Sequence, residues 1–297
     1  MLILIVLSNK KLRNSGINVM MMIIAFCDFL CALVAVIRQS IKSGENNPNS
    51  YFQAQFYAFY SYITISFHTC SICLGVGMAF CRVMSLYCSK KAKNWNTPKY
   101  TIIVAIIIIC IIFVTAIPIR MINEVVESEH LYISKTIDSL QDENCFVFRF
   151  ILFLVGVFYK IIPCLLLIIF FVPIFYKLKE KKAIERKILS IGSKKTDTSI
   201  YLTLSVLIIF IITELPQGIF NSIGVIFVVD FMEIISLYLG DLVDTLSILN
   251  SLSTFIIYSV LSSAFRNLFV QLFIPKWMCK ADKKTTNIRV KPPNTIT

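Results

Sequence analysis

The sequence predicts an all-α membrane protein: a bundle of seven spanning helices, the first cut short at its N-terminus, followed by a short amphipathic helix. Three observations predict it. The 297 residues are 57% hydrophobic and 15% charged, with mean hydropathy +0.77, whereas soluble domains run about 45–50% apolar and about 25% charged. Six stretches reach the length of about 20 mostly apolar residues that a bilayer crossing needs. Lys and Arg fall in short blocks between those stretches, predominantly on one side of the alternation.

The elements follow in order. Met1–Ser8 is apolar but short, and Asn9-Lys10-Lys11-Leu12-Arg13 follows it. It has neither the basic start nor the small-residue cleavage pattern of a signal peptide. We read residues 1–9 as the cytoplasmic end of a first helix that begins before Met1. The six full spans are 17–39, 56–83, 100–120, 148–176, 200–228 and 234–261. After them Phe265, Leu268, Phe269, Leu272 and Phe273 recur on one helical face, with Arg266, Asn267 and Gln271 off it. That pattern predicts an amphipathic helix over 263–274 lying along the inner membrane surface. These elements make one domain, 1–274. The polar, basic stretch 275–297 reads as a disordered cytoplasmic tail, with Cys279 placed for lipidation near the membrane.

Orientation follows from charge. With the N-terminal side outside, 23 Lys and Arg fall in cytoplasmic segments and 5 in outer ones. That asymmetry fixes a multi-pass cell-membrane topology with a cytoplasmic C-terminus. The longest outer loop, near 121–147, is acidic. The net charge of +12 therefore belongs to the inner loops, and no basic stripe interleaved with aromatics points to nucleic acid. Two His and no paired C-x-x-C exclude a zinc site. No nucleophile–base pair or metal cluster points to an enzyme, and no resident cofactor is expected. Most of the ten Cys lie in apolar segments, where they read as packing residues.

Ionisable groups in the hydrocarbon region are costly and normally face the bundle interior. Asp28, Lys160, Glu214 and Asp244 are the four to explain. At about 1.5 Å per residue, Asp28 lies near mid-membrane, with Ser71 and the Asn250–Ser251 pair at similar depth. They make either a site for Na⁺ or water, or a dry polar packing network. Lys160 and Glu214 share a depth on the fifth and sixth helices, and we expect them to pair; the alternative has Lys160 snorkelling outward and Glu214 protonated. Pro216 kinks the sixth helix beside Glu214 and Gln217, which face one side. A carboxylate at a pivot suits a switch or a fixed strut.

Five collinear stretches carry a family pattern: "KKLRNSGINVMMMIIAFCD" (10–28), "HTCSICLGVGMAFCR" (68–82), "KIIPCLLL" (160–167), "TELPQGIF" (213–220) and "LGDLVDTLSILNSLSTFIIYSVLSSAFRNLF" (239–269). Through them the chain resembles the rhodopsin-like G-protein-coupled receptors, and within these the nematode serpentine receptors of class w, relatives of myosuppressin and FMRFamide-type neuropeptide receptors. The resemblance implies that Asp28, with Ser71 and Asn250, matches a sodium pocket, and that Arg82 engages a heterotrimeric G protein. Pro163 and Pro216 match the prolines of the fifth and sixth helices. Glu214 stands where most of the superfamily has a toggle Trp, and class w receptors similarly carry Glu-Leu-Pro. Tyr258 matches the seventh-helix Tyr that swings inward on activation. Cys145 matches one half of an outer disulfide, and residues 40–69 hold no Cys to pair with it. Cys81 replaces the acid usual before Arg82, and Thr254-Phe255 replaces Asn-Pro before Tyr258.

The function this implies is a receptor that binds an extracellular ligand and activates a G protein. A short amidated peptide fits the acidic outer groups, Asp241 and Asp244 among them, if it bears Arg. Thr64, His68, Gln217, Asn221, Asp241 and Asp244 are the pocket residues expected from the family pattern. A chemosensory receptor for a small molecule is the competing reading, and an ion-coupled transporter using Asp28, Lys160 and Glu214 is a third.

Overall fold

The computed structural model describes residues 2–8, 15–43, 51–88, 97–128, 131–136, 146–187, 194–228 and 236–273. The described chain is nearly all helical. In order it forms α1 (Leu2–Leu7), α2 (Gly16–Ser43), α3 (Tyr51–Tyr87), α4 (Pro98–Thr115) and α5 (Ile117–Met121). A hairpin of β1 (Asn123–Ser128) and β2 (Leu131–Thr136) follows. Then come α6 (Phe146–Phe153), a π-helical segment (Leu154–Ile161), α7 (Ile162–Lys187), α8 (Lys194–Ile226), α9 (Ser236–Leu261) and α10 (Ser263–Phe273). Cys145, Cys279 and the tail 275–297 lie outside the described residues.

Five helical stretches among the described residues are long and apolar enough to cross a membrane: Gly16–Ile41, Tyr51–Tyr87, Pro98–Met121, Phe146–Ala183 and Ile200–Ile226. α9 is 26 residues long, a rise of about 39 Å at 1.5 Å per residue. Several helices overrun the expected spans, α3 by five residues at its start and four at its end. Polar residues beyond the bilayer edge are as competent to continue a helix as the apolar ones within it.

The outward faces are what a bilayer requires. On α4, Ile102, Ile103, Ile106, Ile107, Ile111 and Val114 are all exposed. In water such a ladder would be an aggregation surface; against lipid tails it costs nothing. α3 is the central element and packs against α2, α4, α5, α7, α8 and both strands. Its Gly75 faces the Phe210 ring of α8 so closely that an added Cβ would sit 3.2 Å from it. Phe210, Leu74 and Met78 are fully buried there. Small residues permitting close approach, rather than hydrophobic expulsion, hold helices together in lipid.

The hairpin lies within the stretch 121–147 that was expected to be a loop. Its strands run antiparallel, from Asn123 opposite Thr136 to Ser128 opposite Leu131, and lean on α3. Val125, Val126, Tyr132, Ile133 and Thr136 favour pleated backbone. Acidic residues on a short ribbon had masked that signal.

Candidate functional site

Four elements converge on one carboxylate. α8 brings Glu214 and Gln217, three residues apart on one face. Pro216 between them has no N–H, so the ladder bond to the carbonyl of Ile212 is absent. Thr213 Oγ1 donates to the Ile209 carbonyl at 2.9 Å, and Gln217 Nε2 donates to the Thr213 carbonyl at 3.0 Å. That second bond crosses the proline turn.

Opposite lies the π-helical segment. Its wider turn carries Lys160 inward, and Pro163 follows in the first turn of α7. Two glycines let the elements approach. A Cβ on Gly218 would meet Lys160 Cβ and Ile161 Cγ1 at 3.0 Å, and one on Gly156 would meet Ser222 Oγ at 2.9 Å and Ser222 N at 3.0 Å. Backbone-level contact of this kind lets the Lys160 side chain fold onto α8 rather than run out to the surface.

Lys160 Nζ donates to Glu214 Oε2 at 2.8 Å and to Gln217 Oε1 at 2.5 Å. From α3, His68 Nε2 lies 2.9 Å from both Glu214 oxygens. An ionised carboxylate only accepts, so this nitrogen carries the hydrogen. From α9, Asn250 Nδ2 donates to Glu214 Oε1 at 3.4 Å, and Ser247 Oγ accepts from Gln217 Nε2 at 3.4 Å. Glu214 is fully buried, Lys160, His68, Gln217 and Asn250 nearly so, and Ser247 half-buried. A buried ion pair is weak evidence for stability. Removing one partner costs about 3–5 kcal/mol, because the other charge stays buried and uncompensated.

A second polar group lies between α2 and α3. Both carboxylate oxygens of Asp28, Ser71 Oγ and Thr64 Oγ1 are buried and take no hydrogen bond from the described protein groups. The Thr64 carbonyl accepts from Cys31 Sγ at 3.4 Å. Asn250, expected beside Asp28 and Ser71, turns its amide nitrogen to Glu214 instead. Asp28 is within electrostatic range of His68 and Glu214, so the two groups sense each other. Hard oxygen donors without internal partners suit an alkali cation or water. Among the described residues no three His, Cys, Asp or Glu are placed to hold a metal ion together.

Near the C-terminal end of α3, Arg82 Nε donates to Thr203 Oγ1 of α8 at 3.1 Å. This contact joins the two helices below the cluster. Asn221 lies at the approach of α8 to Gly156, outside the Glu214 network. Asp241, Asp244 and Tyr258 lie on α9, with side chains outside the described residues. Lys160 meets Glu214, as expected from their common depth, and His68 is a second, unexpected partner of the same carboxylate. Depth on α3 was the available signal. The π-helical segment had a weaker one, in Gly156 and Gly218.

The profile of the family described as serpentine type 7TM GPCR chemoreceptor Srw matches residues 1–276. The chain belongs to this family. The Srw match runs through every element that builds the site, from α1 to α10. The chain is also similar to the G-protein coupled receptor dmsr-1 of Caenorhabditis elegans, at 22% identity over 91% of this chain. It spans 64% of that relative's length. The several membrane-length helices of this Srw member make it a multi-pass membrane protein.

Proposed function

We propose that this chain is a ligand-activated receptor of the cell membrane that engages a heterotrimeric G protein at its cytoplasmic face, with its C-terminus on that side. The observation that carries the reading is the family match across residues 1–276. α9, 26 residues long, would join the five clear spans as a further crossing, and the six residues of α1 pack against α2. Arg82, bonded to Thr203, is the group that turns to the G protein when α8 moves away. Tyr258 on α9 would follow it inward. Asp28 and Ser71, whose buried side-chain oxygens are bonded to no other described group, would hold a sodium ion. An ion there adds one positive charge to the bundle interior.

The ligand we propose is a short amidated peptide bearing Arg. Acidic groups toward the outer end, Asp241 and Asp244, offer charge-assisted hydrogen bonds to a guanidinium. Thr64 and His68 on α3 and Gln217 and Asn221 on α8 would line the approach below them. The family description names chemoreceptors, which favours a small environmental molecule as the second reading. One screen separates them. Cells expressing the chain with G-protein dissociation reporters are exposed to amidated peptides and, separately, to small water-soluble and volatile compounds. Peptide responses that vanish when the ligand's Arg is replaced by citrulline support the first reading. Responses confined to small compounds overturn it.

A further inference from the structure

The Lys160 contacts do more than neutralise a buried acid. They land on both sides of the weakest turn in α8. Pro216 removes one ladder bond, and Glu214 stands before it and Gln217 after it. Lys160 Nζ bonds to both, at 2.8 Å and 2.5 Å. The ammonium therefore bridges the proline turn from outside the helix. It does so from the π-helical segment, to which Gly156 and Gly218 hold α8 at backbone distance. Helices bend where a ladder bond is missing, and a bridge across that place fixes the bend angle. His68 and Asn250 bond to Glu214 alone, so neither spans the turn.

We propose that Lys160 is the restraint that sets the resting state: its ammonium clamps the Pro216 turn of α8, and activation requires this clamp to be released. The proposal rests on the receptor reading and assigns the regulation of its switch. With the clamp closed, the cytoplasmic half of α8 is held where Thr203 accepts from Arg82. With it open, that half pivots about Pro216 and draws Thr203 from Arg82. Two bonded elements joined at a hinge give the discrete alternatives that a two-state switch needs. Lys160 is a positioning residue here, acting through Glu214 and Gln217.

The test uses the full chain in lipid nanodiscs without ligand. Spin labels at Lys179 on α7 and Ser205 on α8 report the separation of the cytoplasmic ends. Three variants are compared with the wild type. Lys160→Met removes the clamp. Lys160→Met/Glu214→Gln removes it without leaving a buried unpaired charge, so it serves if the single variant fails to fold. Gln217→Leu cuts one bond and keeps the ion pair. We expect the population at the longer separation to rise about tenfold in the first two, the factor for 1.4 kcal/mol, and by less in Gln217→Leu. Ligand-free nucleotide exchange on added G protein should rise in parallel. Wild-type separations in the folded variants overturn the clamp, even where ligand drives exchange in the wild type. Longer separations with no exchange on any G-protein class uphold the clamp and overturn the receptor reading.

Discussion

Replacing Gly218 by Ala tests whether the close approach of α8 to the π-helical segment is a packing requirement. The new Cβ would stand 3.0 Å from Lys160 Cβ, 3.0 Å from Ile161 Cγ1 and 3.3 Å from the Gly156 carbonyl oxygen. Relaxed carbon–carbon contacts lie at about 3.5–4.0 Å, so the elements must part by roughly half an ångström or more. Two of the three contacts are backbone or Cβ atoms, which cannot swing aside. Overpacking of this kind costs about 1–3 kcal/mol. Against it stands the gain from Gly to Ala within a helix, about 1 kcal/mol. Gly77→Ala is the control. Its Cβ would meet only the flexible end of Met20, at 3.4 Å, so the helix gain stands nearly unopposed. The two variants should therefore differ by about 2 kcal/mol in opposite directions from the wild type. The assay is the fraction of folded protein surviving a series of temperatures in detergent, read by size-exclusion fluorescence. Gly218→Ala should lose folded protein several degrees below the wild type, and Gly77→Ala should match or exceed it. Equal survival of the two variants would refute the close packing that delivers Lys160 to Glu214.

Three further predictions follow from the same geometry. Sodium should raise the heat survival of the wild type over an equal concentration of N-methylglucamine, and Asp28→Asn should abolish that difference while leaving the chain folded. Thr203→Val, which removes the hydroxyl that accepts from Arg82, should raise ligand-free G-protein activation severalfold at equal surface expression; unchanged basal activity would remove this contact from the resting state. An epitope tag after Thr297 should be reached by antibody only after the cells are permeabilised, and staining of intact cells would reverse the topology.

Much of this was legible in the sequence because a bilayer simplifies the reading. Apolar runs give the spans, so Asp28, Lys160 and Glu214 stood out as the charges that had to find partners. Depth counting brought Lys160 and Glu214 to one level, and the structure has them 2.8 Å apart. Lateral facts were harder to read. That His68 joins the same carboxylate depends on the rotation of α3 about its axis, and apolarity on nearly every side of a membrane helix leaves that rotation unmarked. The π-helical segment shifts every later residue of its helix by a fraction of a turn, and no residue type encodes it uniquely. Asn250 fell to Glu214 rather than Asp28 for the same reason: equal depth does not choose between neighbours. The hairpin of β1 and β2 was hidden by Glu124, Glu127 and Lys135, charged residues that an exposed ribbon tolerates.

The buried charges also constrain what the interior must hold. Beside His68, the buried Asp, Glu, Lys and Arg side chains among the described residues are Asp28, Lys160 and Glu214. Lys160 and Glu214 cancel each other at 2.8 Å. Asp28 is left with two buried oxygens and no cationic side chain bonded to them, and a carboxylate without a counter-charge at that depth is costly. A proton or a small cation at the α2–α3 interface would supply the missing charge. It would act at a distance on His68 and Glu214, which lie within electrostatic range of Asp28. A charge placed beside Asp28 competes with Lys160 for the field at Glu214, and thereby loosens the bridge across Pro216 or tightens it when removed. Sodium titration of the α7–α8 separation, in the wild type and in Asp28→Asn, measures that coupling directly: a sodium-dependent shift only in the wild type is the expected result, and identical distributions at all sodium concentrations would separate the two groups.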